Sequence, residues 1–180
     1  MRANYRTGLI VISAIGLSVL AACNVDVQEN GKDKNVDVST PFGSIKVRSG
    51  ENPPQTGLPV YPGAQAMRDS DEDHENADVN IGSSFFRIHV AAAKYESKDA
   101  PQAIVDFYKD KMTAHGTVLE CRGDIEFDDE SKQAECKDQP GSGEIQLVTG
   151  TEDDHRLVSV KPRGAGSEFA LVSIQIGEKG

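Results

Sequence analysis

The residues best suited to chemistry in this 180-residue chain are three cysteines, four histidines and a run of carboxylates. Cys121 and Cys136 flank the polar, acidic stretch from Arg122 to Glu135. A zinc site would need C-x-x-C spacing or a histidine close by, and neither is present. A redox-active pair would also favour C-x-x-C. A structural disulfide remains. Closing a loop of about 15 residues contributes about 3 kcal/mol in the chain-entropy view. The acidic run contains Asp69, Asp71, Asp73, Glu75 and Asp78, and begins like a calcium loop. It then departs from that pattern, with His74 in place of the required glycine and Asn80 in place of the bidentate glutamate. A solvated loop over Arg68 to Asn80 is the reading that follows. His89, His115 and His155 have no nucleophile or second ligand at a recognisable spacing. No G-x-S-x-G, H-E-x-x-H or phosphate-loop pattern occurs. The sequence therefore assigns no catalytic residue, no metal ligand and no cofactor.

The third cysteine has a different setting. Arg2 and Arg6 are followed by the uncharged apolar run Gly8 to Leu20, then Ala21-Ala22-Cys23. That run is too short to span a bilayer comfortably, which takes about 20 residues. A basic start, an apolar centre and small residues before a cleavage point make a secretory signal. Leu20-Ala21-Ala22-Cys23 resembles the lipobox of bacterial lipoproteins. The resemblance implies diacylglycerol on the Cys23 sulfur, cleavage before Cys23 and, usually, N-acylation. Two or three acyl chains hold a protein stably where one does not. In that family an Asp after the cysteine favours inner-membrane retention, so Asn24 points to the outer membrane. The competing readings are an ordinary signal peptide with a chance cysteine and a buried N-terminal helix. Export would place Cys121 and Cys136 in an oxidising compartment, where a pair is expected.

Composition restricts partners. The chain has 29 acidic and 19 basic residues and a net charge of −10. That balance argues against nucleic acid, whose phosphates need clustered Lys and Arg, and against electrostatic docking on anionic lipid. Apolar residues make up 37%, enough for a modest core.

The elements that would position these groups follow from periodicity. Asn24 to Lys34 is polar and reads as a tether. Val36 and Val38, then Ile45 and Val47, alternate with polar residues around Pro41 and Gly43, which predicts a hairpin or a half-ordered stalk. Ser49 to Thr56 reads as a linker. Phe86, Ile88 and Val90 alternate in a strand. Phe85 and Phe86 would point to opposite faces, one in the core and the other under a neighbouring loop or on a partner. One helix follows, with Asp99 and Gln102 as a capping box, Pro101 in the first turn and Gly116 as the stop. Ile104, Phe107, Tyr108 and Met112 form its apolar face. Thr117–Cys121, Gln133–Lys137, Glu144–Thr149, Arg156–Lys161 and Phe169–Ile176 read as strands of an antiparallel meander.

Two stretches carry a second resemblance: Leu58-Pro59-Val60-Tyr61-Pro62-Gly63-Ala64, and Lys94 to Pro101 running into Val105-Asp106-Phe107-Tyr108-Lys109. They resemble a group of exported prokaryotic proteins with a PVYPGA opening and a later Y-E-T-x-D-x-P … V-x-x-F-Y helix. The resemblance covers roughly Leu58 to Ile176. It implies an anchored accessory domain and brings no catalytic residues. The Pro-Gly turn and the Phe-Tyr pair read as architecture: an entry turn and aromatic anchors of helix on sheet.

The expectation is an α+β fold. One main helix packs on an antiparallel sheet of five to six strands in two layers, preceded by a short hairpin or stalk. Residues 1–22 would be a cleaved signal peptide, 23–56 the lipidated cysteine, tether and hairpin, and 57–180 the α+β domain. The function expected is that of a lipid-anchored, non-catalytic binding or structural protein of the cell envelope. The membrane would be met through the lipid on Cys23, with another envelope protein or a second copy as partner and the domain in the periplasm or at the cell surface. The alternatives are a hydrolase-like enzyme with a spatially assembled site, or a small-ligand carrier using the uncovered sheet face.

Overall fold

A computed structural model describes residues 23–31, 33–50, 52–67, 76–138 and 143–178. Residues 1–22, expected from sequence to be a signal peptide, and the carboxylates from Asp69 to Glu75 lie outside the described residues.

The described residues form twelve strands and one α-helix in the order β1 (Asn24–Asn30), β2 (Asp33–Thr40), β3 (Gly43–Ser49), β4 (Gln65–Ala66), β5 (Ala77–Ser83), β6 (Phe86–Ser97), α1 (Pro101–Met112), β7 (Val118–Cys121), β8 (Gly123–Phe127), β9 (Ala134–Asp138), β10 (Ile145–Thr151), β11 (Asp154–Arg163) and β12 (Gly166–Glu178). Ten of the strands make one antiparallel sheet in the order β1-β2-β3-β5-β6-β12-β11-β10-β7, with β4 beside the end of β6. Strands β8 and β9 pair with each other in a separate hairpin.

This overturns the expected α+β arrangement. The described residues are mostly β, with one short helix on a ten-stranded sheet rather than a helix covering five or six strands. Three segments account for the difference. The polar stretch after Cys23 is strand β1, paired residue for residue with β2. Strands β2 and β3 are not a separate hairpin, because β3 continues the sheet through β5. Asp78 and Asn80, assigned to an acidic loop, lie within β5. The cause is length. Strands β6 and β12 have 12 and 13 residues and pair along nearly their whole extent. At about 3.3 Å per residue, strands this long reach roughly 40 Å. One end of the pair serves the core, and the other extends past it and carries β5, β3, β2 and β1.

The core lies on one face of the C-terminal half. Ile104, Val105, Tyr108 and Met112 of α1 are buried against Leu147, Val158, Val160, Phe169 and Leu171 of β10, β11 and β12. Tyr95 stacks on Phe169 at 5.4 Å, and the Tyr108 ring lies 5.7 Å from the same phenylalanine. The Pro59–Ala64 entry is seated on the helix. The Tyr61 N–H donates to the Tyr108 hydroxyl, which donates to the Pro59 carbonyl, both at 3.1 Å. Burial raises the Tyr108 pKa well above that of a free phenol, so the hydroxyl keeps its donor proton.

The helix start also differs from expectation. Its N-cap is Ala100, with no side-chain cap. The Asp99 carboxylate instead accepts from the Tyr61 hydroxyl at 2.8 Å, and Gln102 donates to Asp106. The Tyr61–Asp99 bond holds the Tyr61 proton and raises its pKa.

Candidate interaction surface

The opposite face of the sheet is built by period-two alternation. Each of the six strands at the N-terminal end has the pattern apolar, polar, apolar over three residues, and the register aligns all six. One row across the strands reads Val25, Val38, Ile45, Ile81, Ile88 and Ile176. The next reads Val27, Val36, Val47, Val79, Val90 and Ile174. Every residue in both rows is Val or Ile. Such side chains favour extended backbone and pack closely across strands. From the spacing of neighbouring strands, each row is roughly 24 Å long.

Between these rows, pointing the other way, runs a polar row: Asp26, Asp37, Lys46, Asn80, His89 and Gln175. His89, which has no nucleophile or second ligand at a recognisable spacing in sequence, is held here by Asp78 at 3.2 Å. Asn80 donates to the same aspartate. The N-terminal half of the sheet therefore has one wet face and one apolar face.

The apolar face is open along β1 and at Ile45 and Ile176, and its other side chains are half-buried. Val25 is 60% exposed, Val27 54% and Ile45 43%. The same face is closed at the other end of the sheet by the β8–β9 hairpin. The Cys121–Cys136 disulfide joins the end of β7 to β9 across a Cα separation of 5.3 Å. Phe127 of β8 lies over the His155 ring at 4.7 Å. His155 Nδ1 stands 3.0 Å from the Thr151 carbonyl and 3.1 Å from that of Glu152. Carbonyls only accept, so Nδ1 carries the proton. Lys132, in the turn between β8 and β9, pairs with Glu152 at 2.8 Å, which raises the lysine pKa.

The other residues singled out from sequence fall in separate places. Cys23 is exposed, takes no part in a disulfide and stands directly before β1. His115 ends the short 3-10 turn after α1 and is exposed. Phe85 and Phe86 are both exposed, at 80% and 42%. Neither enters the core: Phe85 belongs to the turn between β5 and β6, and Phe86 opens β6 on the face of Ile88 and Val90, away from the helix. Among the described residues, no group of three or more His, Cys, Asp or Glu is placed to hold a metal ion. Sequence reading missed Val25 and Val27 as surface residues. Their signal was the same V-x-V alternation that marked Val36 and Val38, set in a more polar stretch.

Comparison with protein-family models, curated proteins and solved structures finds no match to this chain.

Proposed function

We propose that this chain is an exported lipoprotein, anchored through Cys23, that acts without catalysis as a binding or structural component of the cell envelope. Its working surface is the open Val/Ile face, and its partner is another envelope protein. The observation that carries the reading is the uncovered double row of β-branched side chains. Contiguous apolar patches of this kind mark protein interaction sites. The rows hold side chains of nearly one size, so the face is flat, which suits a protein surface better than a small molecule seeking a concave pocket. The Cys121–Cys136 disulfide supports export to an oxidising compartment. Asn24 after the anchor supports the outer membrane.

Photo-crosslinking in living cells tests this. A photoreactive amino acid replaces Val47 on the apolar face or Lys46 on the opposite face. Adducts to a discrete envelope protein are expected from position 47 and not from position 46. Equal yields from the two positions would refute the assignment of the face. Adducts only to the chain itself would replace the partner with a second copy.

A further inference from the structure

Two turns stand side by side at one end of the sheet. Gly43 pairs with Ser83, so the β2–β3 turn and the β5–β6 turn are neighbours. A Cβ at Gly43 would lie 2.5 Å from the Gly82 carbonyl oxygen, so the two segments are in close contact. Each turn ends in the most exposed aromatic residues of the described chain, Phe42 at 83% and Phe85 at 80%. Each is also built the same way. The Thr40 hydroxyl accepts from the Phe42 and Gly43 N–H groups, and the Ser83 hydroxyl accepts from the Phe85 and Phe86 N–H groups. The tips thus meet their own backbone hydrogen bonds while presenting a bare ring. That combination is what a segment needs on leaving water, because an unpaired amide is costly in an apolar medium.

Cys23 lies at the same end. Asn24 pairs with Ser39, so the cysteine stands beside the β2–β3 turn, with no tether between it and the sheet. From the strand spacing, Cys23, Phe42 and Phe85 fall on a line roughly 17 Å long. Thr40–Ser44 and Ser83–Phe86 contain no charged residue, in a chain of net charge −10. A groove of about 520 Å³ is lined by both turns and by the basic residues nearest to them, Lys46 and Arg87. Neither makes an ion pair with a carboxylate among the described residues. Behind the bare rings come charged side chains of both signs, Lys46 and Arg87 beside Asp26 and Asp37, so apolar groups lead and polar groups follow, the order met on entering a bilayer interface.

We propose that the end of the sheet bearing Cys23, Phe42 and Phe85 is seated in the bilayer interface, so that the strands stand upright and the Val/Ile face is presented sideways. This rests on the lipoprotein reading of Cys23. It assigns the two phenylalanines as membrane contacts beside the acyl chains. It also explains why the open face points along the membrane, toward partners held on the same surface, rather than lying flat on lipid.

The chain contains no tryptophan, so single substitutions report without background. Phe42→Trp, Phe85→Trp and, as the distal control, Ala165→Trp in the exposed β11–β12 turn are made in the full-length chain. Each protein is purified from the membrane fraction and reconstituted into phosphatidylethanolamine–phosphatidylglycerol vesicles. Intact mass reports acylation of Cys23. Expected is blue-shifted emission, quenched by brominated lipid, at positions 42 and 85, and unshifted, unquenched emission at 165. An acylated protein whose emission at 42 and 85 matches that at 165 overturns the seated tip and leaves the anchor standing. A mass showing unmodified Cys23 overturns the anchor and the seated tip together.

Discussion

At one end of the sheet Phe169 and Leu171 are each 1% exposed beneath α1. At the other end Val25 and Val27, in strands of the same sheet, stand open to solvent. The two halves are made by the same alternation and differ in what covers them. In the C-terminal half a helix closes one face and a disulfide-pinned hairpin closes the end of the other. Among the described residues, the strands of the N-terminal half rest mainly on each other and on the projecting ends of β6 and β12. Burial stabilises the first half. Backbone pairing and cross-strand Val/Ile contacts stabilise the second, each contact contributing about 0.2–1 kcal/mol. A single layer of this kind retains an apolar face that a globular core would consume.

Removing mass from each half should expose that difference. Phe169 contacts Tyr61, Tyr95 and Tyr108 and has no solvent-facing side. Phe169→Ala is expected to cost about 3–5 kcal/mol, read from urea unfolding monitored by circular dichroism. A loss under 1 kcal/mol would mean that the helix half is not the stable one. The hairpin gives the next effect. Replacing Cys121 and Cys136 together by Ser should lower stability by about 3 kcal/mol. Hydrogen exchange should then quicken first in β8 and β9, where Phe127 meets His155, and not in β1–β3.

The sequence made the covered half more legible than the open one. The helix face came from the spacing of Ile104, Tyr108 and Met112, and the disulfide came from export logic applied to Cys121 and Cys136. Helix periodicity and cysteine pairing are local signals. Strand membership in a large sheet is not. Asp78 and Asn80 look like loop residues because they occupy the wet face of β5, and only its pairing with β3 and β6 makes that segment a strand. Asn24 to Asn30 failed as a strand for the same reason: Asp26 and Gln28 supply the polar face that a one-layer sheet needs. Asp99 was misread as a cap because its carboxylate is taken by Tyr61, 38 positions away in sequence.

Acid should act on the two halves unequally. Glu168, in β12 toward the core end, meets Lys161 at 3.0 Å and Arg163 at 3.1 Å. Burial pushes its carboxyl pKa up, but hydrogen bonds and charge from Lys161 and Arg163 outweigh burial and hold it below the usual value. A depressed carboxyl contributes stability above its unfolded pKa, about 4.3 for glutamate. That contribution disappears as pH falls through the lower folded value. Glu168→Gln should therefore lower the melting temperature modestly at neutral pH and flatten its decline in acid. A parallel decline in variant and parent would show that Glu168 is not the linked group.

The smallest expected change in stability is in the open face itself. Val25→Thr together with Val27→Thr keeps the shape and the β-branching of both side chains. Each replaces a methyl with a hydroxyl where solvent already reaches, so the pair should change unfolding free energy by no more than about 0.5 kcal/mol per site. The same exchange under a covering layer would place two hydroxyls without partners, and each would cost about 1–3 kcal/mol. The double variant therefore distinguishes an open face from one that the chain closes in solution. Near-neutral stability combined with loss of the crosslink from position 47 would show that these valines are kept apolar for a partner. A cost of several kcal/mol in the purified protein would show that they are kept apolar for the fold.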